Sequence, residues 1–448
     1  MKTFVGYPVL LRQGRSLSNM ISRILALSTA FLLIIGSTPV IWAGGGDDSV
    51  EVVRKTPRFL VKKGKTLFVH YCAHCHGLSG DGDGFNAEFL DKEPAELSDS
   101  KFQAKKTNHQ IFRVINMGGA GVRKSHLMPV FGKTLSEAEI WALVAYIRDM
   151  GEDDSHPVFL PQGVNSDRPL DEPVSKGDIQ RFKKWFKDEG EKDSAIQAGE
   201  KLFKKKKSCF ACHRLEVEGE KVGGKIGPDL SQAGARYGPE WLYAWILNPH
   251  AYKPETKMPN MNVAPEEAQV LVAFLSGLDS ENGGTPPDWQ TFMETAGNPE
   301  KGKSLFFDPE GKVYCSKCHR VKDEGGTIGP SLSYVGTSRS RSFLLESILD
   351  PKAVITAGYS TVLILTNERI FLTGILKFED DSGLDIVDKE GNDMYIRKEQ
   401  IKKYKTQKIS MMPGNFKDLL EVQEVADILA YLKSLKLPEF SGASGEEK

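Results

Sequence analysis

All six cysteines of this 448-residue chain occur in three copies of one pattern, Cys-x-x-Cys-His, at residues 72–76, 209–213 and 315–319. Two thiols at this spacing can reach the two vinyl groups of one porphyrin, and the adjacent imidazole can bind its iron. A bare Cys-x-x-Cys is also the pattern of a zinc knuckle or a redox dithiol. Three copies that each end in histidine favour three covalently bound haem c groups, attached at Cys72, Cys75, Cys209, Cys212, Cys315 and Cys318.

Each haem iron requires two axial ligands, and the motifs supply one of them at His76, His213 and His319. Thioether sulfur is a soft ligand that suits haem iron and raises its potential. Three methionines precede a proline and stand shortly before an amphipathic segment, namely Met128, Met258 and Met412. We predict these as the second ligands. Alternatives stay open at His126 for the first haem, Met261 for the second and Met411 for the third.

The elements around each motif repeat. A segment before the cysteines carries glycine and, four residues on, phenylalanine, which lie on one face of a helix: Gly64/Phe68, Gly199/Phe203 and Gly302/Phe306. After each Met-Pro, apolar residues follow the i, i+3, i+4, i+7 spacing of a helix. These stripes are Ile140, Leu143, Val144, Ile147; Leu271, Phe274, Leu275, Leu278; and Val425, Ile428, Leu429, Leu432. A capping box at Ser136 and Glu139, and Pro265 in a first turn, suit helix starts.

This frame resembles the class I cytochrome c domain, with particularly close segments at 75–84 and 128–131. The resemblance implies a mainly α protein of three tandem class I domains, in which the first and last helices cross at the glycine and the aromatic residue. It also implies that a proline carbonyl after the motif accepts the proton of the proximal histidine. Pro228 and Pro330 match that position, and Pro94 matches it less closely because no glycine precedes it.

The third unit contains about 40 extra residues between its histidine and its Met-Pro. Their hydrophobic period changes to two, with turn signals between the segments, which predicts four or five antiparallel strands at about 357–404. Together with the segments 328–332, 348–351 and 410–413, this insert resembles the haem-binding domain described in planctomycetes and verrucomicrobia. That resemblance implies a fold for about 300–435 and little about function.

These patterns divide the chain into segments. We expect a signal peptide at 1–43, cytochrome c domains at 57–150, 193–279 and 297–437, and a disordered polar tail at 438–448. Linkers fill 151–192 and 280–296. The first linker should contain a short helix, at about 179–187, that belongs to neither neighbour.

The N-terminus predicts export. Arg12, Arg15 and Arg23 precede an apolar run at 24–35, and Ala43 ends a suitable cleavage site. An uncleaved anchor at 24–42 is the alternative. Because haem c is attached outside the cytoplasm in bacteria, both readings predict a periplasmic or otherwise extracytoplasmic protein. A formal charge of −1 for the whole chain gives no case for nucleic acid.

The sequence offers no catalytic constellation, phosphate loop or nicotinamide fingerprint, so we expect an electron-transfer protein and not an enzyme. It would be a triheme carrier, or the cytochrome subunit of a membrane-associated respiratory or dehydrogenase complex, with redox proteins as donor and acceptor. The alternative is a haem enzyme or sensor with an open coordination site in the third domain. The lysine run at 204–207 is a solvated helix end or a docking patch for an acidic partner.

Overall fold

A computed structural model describes residues 55–90, 92–169, 171–207, 209–278, 289–356, 358–379, 382–407 and 409–437. These residues lie within one compact unit that begins at Arg54. The predicted signal peptide or anchor and the predicted tail at 438–448 lie outside the described residues. In the described part of the chain, no helix is both long and apolar enough to span a bilayer.

The architecture is mainly helical, with three hydrophobic cores that follow one another along the chain. The first core is formed by a unit of helices α1 Arg58–Tyr71, α2 Ala73–His76, α3 Ser100–Lys105, α4 Asn108–Gly121 and α5 Glu137–Met150. The predicted capping box starts α5, since the Ser136 side chain accepts from the Glu139 amide and the Glu139 carboxylate accepts from the Ser136 amide.

The second unit contains α6 Lys176–Glu189, α7 Asp193–Lys205, α8 Cys209–Cys212, β1 Arg214–Val217, β2 Glu220–Gly223, α9 Ala233–Arg236, α10 Pro239–Leu247, α11 Pro249–Tyr252 and α12 Pro265–Ser276. The expectation that the linker helix belongs to neither neighbour is wrong. Ile179 and Phe182 of α6 are each only 1% exposed, and the Phe182 ring stacks on Tyr243 with centroids 4.3 Å apart. Helix α6 is therefore part of the second core.

The third unit contains α13 Gln290–Glu294, α14 Pro299–Phe307, β3 Arg320–Val321, β4 Glu324–Gly325, α15 Val335–Ser338, α16 Arg341–Leu349, β5 Thr361–Thr366, β6 Phe371–Glu379, β7 Gly383–Val387, β8 Asp393–Arg397, β9 Ile401–Gln407, α17 Phe416–Leu419 and α18 Val422–Ser434. Residues 289–296, predicted as linker, pack onto this unit through Trp289, Phe292 and Met293. The rest of that linker lies outside the described residues.

The first and last helices of each unit cross at the predicted glycine. A Cβ atom added to Gly64, Gly199 or Gly302 would lie 2.0, 1.9 or 1.9 Å from a backbone oxygen of the partner helix. Glycine is therefore required for the helices to approach this closely. The aromatic pairs beside the crossings have centroids 5.3 to 5.6 Å apart and are Phe68–Tyr146, Phe203–Phe274 and Phe306–Tyr431. This predicted crossing is confirmed in all three units.

The insert of the third unit is an antiparallel sheet in the order β8-β7-β6-β5-β9. Strand β9 extends to Gln407, three residues beyond the predicted end, and pairs with β5 so that Gln407 faces Thr361. The sheet has its own small core, formed by residues that include Val362, Ile364 and Leu384. The chain therefore enters and leaves the insert at neighbouring points of the sheet.

Two short hairpins follow the second and third motifs and were not predicted. β1 pairs with β2, and β3 pairs with β4. Glu218 and Gly219 join the first pair with φ of 52° and 83°, the conformation that a two-residue hairpin needs. The signal in the sequence is the single Gly219, which is weak.

Candidate haem-binding sites

Each motif forms one helical turn. The amide of His76, His213 or His319 donates to the carbonyl of the first cysteine of its motif, at 3.0, 2.9 and 3.0 Å. Residues three apart in such a turn lie on one side of it. The turn therefore presents both sulfurs of a motif together, with the histidine directly after them, as attachment to one porphyrin requires.

The three histidines predicted as proximal ligands share one hydrogen-bond geometry. His213 Nδ1 lies 2.9 Å from the carbonyl oxygen of Pro228, and His319 Nδ1 lies 2.9 Å from that of Pro330. A carbonyl oxygen only accepts, so Nδ1–H donates and Nε2 keeps its lone pair. Burial lowers the pKa of both imidazoles, which favours the neutral ring. A neutral imidazole with a free Nε2 and a fixed orientation is the form that binds iron.

In the first unit the prediction of Pro94 as the acceptor is wrong. His76 Nδ1 donates to the carbonyl of Ala95 at 3.0 Å. In the other units, a Cβ on the glycine before the proline would lie 2.3 Å from the His213 ring or 2.7 Å from the His319 ring. Glu93 occupies that position in the first unit and carries a Cβ. The acceptor is therefore displaced by one residue, while the donor geometry is kept.

The cysteine sulfurs suit a covalent haem better than a redox dithiol. All six cysteines belong to the described residues, and none of them forms a disulfide. Burial raises the pKa of Cys72, Cys209 and Cys212 to about 12 and that of Cys315 to about 11. A redox dithiol needs a depressed thiol pKa, because its chemistry uses the thiolate. A zinc knuckle needs four ligands, and among the described residues no group of three or more His, Cys, Asp or Glu side chains could hold a metal ion. The residues present thus fit a haem held through two thioethers and a histidine.

A hydroxyl group before the methionine organises two of the three Met-Pro turns. The Met258 amide donates to Thr256 Oγ1 at 3.2 Å, and the Met412 amide donates to Ser410 Oγ at 3.1 Å. This side-chain turn gives Met258 and Met412 equivalent backbone positions. In the first unit the corresponding bond is shifted, since Ser125 Oγ accepts from the Leu127 amide. The signal was readable as Ser/Thr-x-Met-Pro and was missed.

The environment of the second methionine separates it from its rival. Trp245 Nε1 donates to Met258 Sδ at 3.0 Å, whereas Met261 packs against the apolar core of the second unit. In the third unit Met412 packs against the main core, and Met411 lies with Cys318 and Tyr359 in a small cluster below the sheet. No pattern in the sequence indicates the role of Trp245, because its contact with Met258 forms only in the folded chain.

Other histidines have contacts of their own. His74 Nε2 bonds the His70 carbonyl oxygen at 3.0 Å, the His109 ring packs edge-on against Trp141, and His156 pairs with Asp153 at 2.8 Å. Met128 packs against the first core, and His126 nearby is half-buried. Met128 stays the predicted second ligand of the first haem, and His126 stays the alternative.

Two members of the lysine run are paired with acids. Lys204 lies 2.7 Å from Glu200, and Lys207 lies 2.6 Å from Glu267. Both pairs neutralise charge at the end of α7. This arrangement favours the interpretation as a solvated helix end over that of a docking patch.

Two family models match the chain. Residues 60–147 match the family described as cytochrome C oxidase, cbb3-type, subunit III, and residues 196–279 match the family described as cytochrome c. These segments coincide with the first and second units.

Curated relatives are small cytochromes. Cytochrome c of Ginkgo biloba is 32% identical over 107 residues, which cover 19% of this chain and 89% of the relative. Cytochrome c2 of Afifella marina is 29% identical over 126 residues, covering 23% and 96%. Among solved structures, the reducing HAO-like protein complex of Kuenenia stuttgartiensis aligns with 51% of this chain and all of that chain, at 19% identity and a TM-score of 0.19.

Proposed function

The chain belongs to the cytochrome c family, and from this premise we propose that it is a three-haem electron-transfer protein that works outside the cytoplasm. It serves as a carrier or as the cytochrome subunit of a respiratory or dehydrogenase complex. Electron transfer through covalently bound haem c is the common property of the family. The number of haems, the location and the partners are our proposal.

The observation that supports a third haem is that the geometry of the second unit recurs in the third. His319 donates to a proline carbonyl at the same 2.9 Å as His213 does, and Gly302 lies against a helix backbone as Gly199 does. Ser410 repeats the turn that Thr256 makes before its methionine. Because independent parts of the frame recur together, we assign the third unit the same cofactor as the second.

Haem supplies reversible one-electron chemistry at its iron, and residues of the chain hold it and set its potential. His76, His213 and His319 are the proximal ligands, and their carbonyl partners fix the ring orientation. Met128, Met258 and Met412 are the proposed second ligands, whose sulfur favours the reduced iron.

The setting of the protein follows from the attachment chemistry and the family match. Haem c ligation outside the cytoplasm agrees with the proposed signal or anchor at 1–43. The match of the first unit to a family described as an oxidase subunit supports a role in a respiratory complex. Redox proteins are the proposed donor and acceptor.

The number of haems provides the test. We expect three covalent haems per chain and a His–Met signature for each in near-infrared magnetic circular dichroism. His319→Ala should lower the count to two, because it removes the proximal ligand of the third site. The control is His109→Ala, which alters a histidine packed on Trp141 and should leave three. Two haems in the unaltered protein, or a high-spin iron in the third unit, would contradict a closed three-haem carrier.

A further inference from the structure

The first and second units meet at their haem motifs. Asn86, which follows the first motif, is fully buried and lies against the second motif. Its Nδ2 donates to the carbonyl of Ala211 at 2.8 Å, and Ala211 is the residue before Cys212. Its Oδ1 accepts from the amide of Lys225 at 2.7 Å. One side chain of the first unit therefore bonds two backbone groups of the second.

The same amide also reaches the first motif. Asn86 Nδ2 lies 3.5 Å from Cys75 Sγ, and the Asn86 amide donates to the His74 carbonyl at 2.9 Å. All polar atoms of the side chain are thus satisfied, and the partners fix its orientation, since Lys225 N only donates and Ala211 O only accepts. Asn86 connects the Cys75 sulfur of the first motif to the backbone next to Cys212 of the second motif.

The backbone around Asn86 is closely packed. A Cβ on Gly224 would lie 2.1 Å from the Ala211 oxygen and 2.9 Å from Asn86 Oδ1. Lys225 Nζ lies 3.9 Å from the centroid of the Phe89 ring and 3.8 Å from Glu88, both in the first unit. These contacts hold the second motif against the segment that follows the first.

Two further contacts fix the units elsewhere along their boundary. The Asn260 amide donates to Thr134 Oγ1 at 2.9 Å. Tyr71 Oη, next to Cys72, lies 3.4 Å from Nε2 of His250, a side chain that is 2% exposed. The relation of the two motifs is therefore set by contacts on more than one side.

We propose that the first and second motifs form a direct electron-transfer junction and that Asn86 is its positioning residue. This inference rests on the proposed function, because it requires a haem at each of the two motifs. One centre loses one electron as the other gains it, and no bond or proton is exchanged. The Cys75 sulfur, the Asn86 amide and the Ala211–Cys212 backbone form a hydrogen-bonded route between the motifs.

The test uses the full-length, haem-loaded protein. Asn86→Asp keeps the size of the side chain and an acceptor for Lys225, but it places a carboxylate oxygen against the Ala211 carbonyl. After photochemical injection of one electron, we expect exchange between the first two centres to slow about tenfold, since small displacements of reacting groups have large effects on rate. Haem content should not change. Hydrogen exchange at the Lys225 amide should become faster, because repulsion from the Ala211 carbonyl moves the new carboxylate away from Lys225.

The control is Asn108→Ala, which removes a half-buried asparagine of the first unit that accepts from Arg148 and lies away from the junction. It should leave the internal exchange rate unchanged. An unchanged rate in Asn86→Asp, with the Lys225 amide deprotected, would overturn the role of Asn86.

If Asn86→Asp does not fold, the unaltered protein provides a second test. Magnetic interaction between the oxidised first and second centres in electron paramagnetic resonance supports the junction, and independent signals overturn it. A haem count of two, with the third site empty, would refute the proposed function and leave this junction standing.

Discussion

At the scale of single residues, one type of hydrogen bond recurs in all three units. A carbonyl oxygen accepts from Nδ1 of each proposed proximal histidine, which leaves Nε2 available to bind iron. The identity of the acceptor varies, since Ala95 replaces the expected proline in the first unit. The geometry is therefore retained where the sequence pattern is not, because any backbone carbonyl can accept this proton.

The second axial ligand of the second unit can be tested with a pair of methionines. Met258→Ala should convert that haem to a high-spin form or lower its potential, because it removes the proposed sulfur ligand. That sulfur accepts a hydrogen bond from Trp245. Met261→Ala should leave the spectrum unchanged and cost about 2 kcal/mol of stability, the low end for a core methionine, since Met261 is only partly buried. Near-infrared magnetic circular dichroism and a redox titration measure the difference. The reverse pattern would make Met261 the ligand.

The residues that could be predicted from sequence are those whose partners stand nearby in the chain. Cys-x-x-Cys-His and Met-Pro are local patterns of this kind. Asn86 bonds Ala211, which is 125 positions away, and Trp245 reaches Met258 only after α10 and the following turns have folded. Nothing in the local sequence distinguishes either residue from a surface asparagine or a core tryptophan.

At the scale of elements, the helix crossings determine each unit. The glycines permit contact between helix backbones, and this spacing places the aromatic pairs next to the crossing. The i, i+4 pattern predicted these helices well, because it encodes a face. It could not predict that α6 belongs to the second unit. That helix is mostly polar, and the burial of Ile179 together with the stack of Phe182 on Tyr243 shows which core it joins.

A matched pair of glycine variants tests the crossing in the third unit. Gly302→Ala should destabilise the unit by about 1–3 kcal/mol, since its Cβ would lie 1.9 Å from the Asp427 oxygen. Gly414→Ala, whose Cβ would meet no described atom within 4 Å, should change stability by less than about 0.5 kcal/mol. The midpoint of thermal unfolding of the full chain separates the two. Equal midpoints would show that α14 and α18 can move apart at Gly302 without loss of stability.

At the scale of the whole molecule, the β insert is an addition to an otherwise repeated plan. The main core of the third unit is built from described residues outside the insert. The sheet contacts that unit in a separate cluster, where Ile375 and Val387 meet Ile328 and the half-buried Cys318 and Met411. The sheet therefore covers the side of the unit that carries its second cysteine.

Removal of the insert tests whether the sheet shields the Cys318 side of the third unit from water. Thr361 and Gln407 are partners in an antiparallel ladder, where paired Cα atoms lie about 5 Å apart, so a short Gly-Ser turn can replace the sheet. We expect the haem count to persist and the potential of the proposed third haem to fall, because water reaches the Cys318 side. Redox titration measures the shift, with Phe371→Ala, a change at a side chain 68% exposed, as the control. Loss of one haem, or an unchanged potential, would contradict the assigned role.

The raised pKa of the cysteine thiols also bears on the order in which the protein matures. Thiols react through the thiolate, and in the folded chain the pKa of Cys72, Cys209 and Cys212 is raised to about 12. A finished fold is therefore a poor substrate for the machinery that joins sulfur to porphyrin. We therefore expect sulfur to be joined to porphyrin before the surrounding fold has formed.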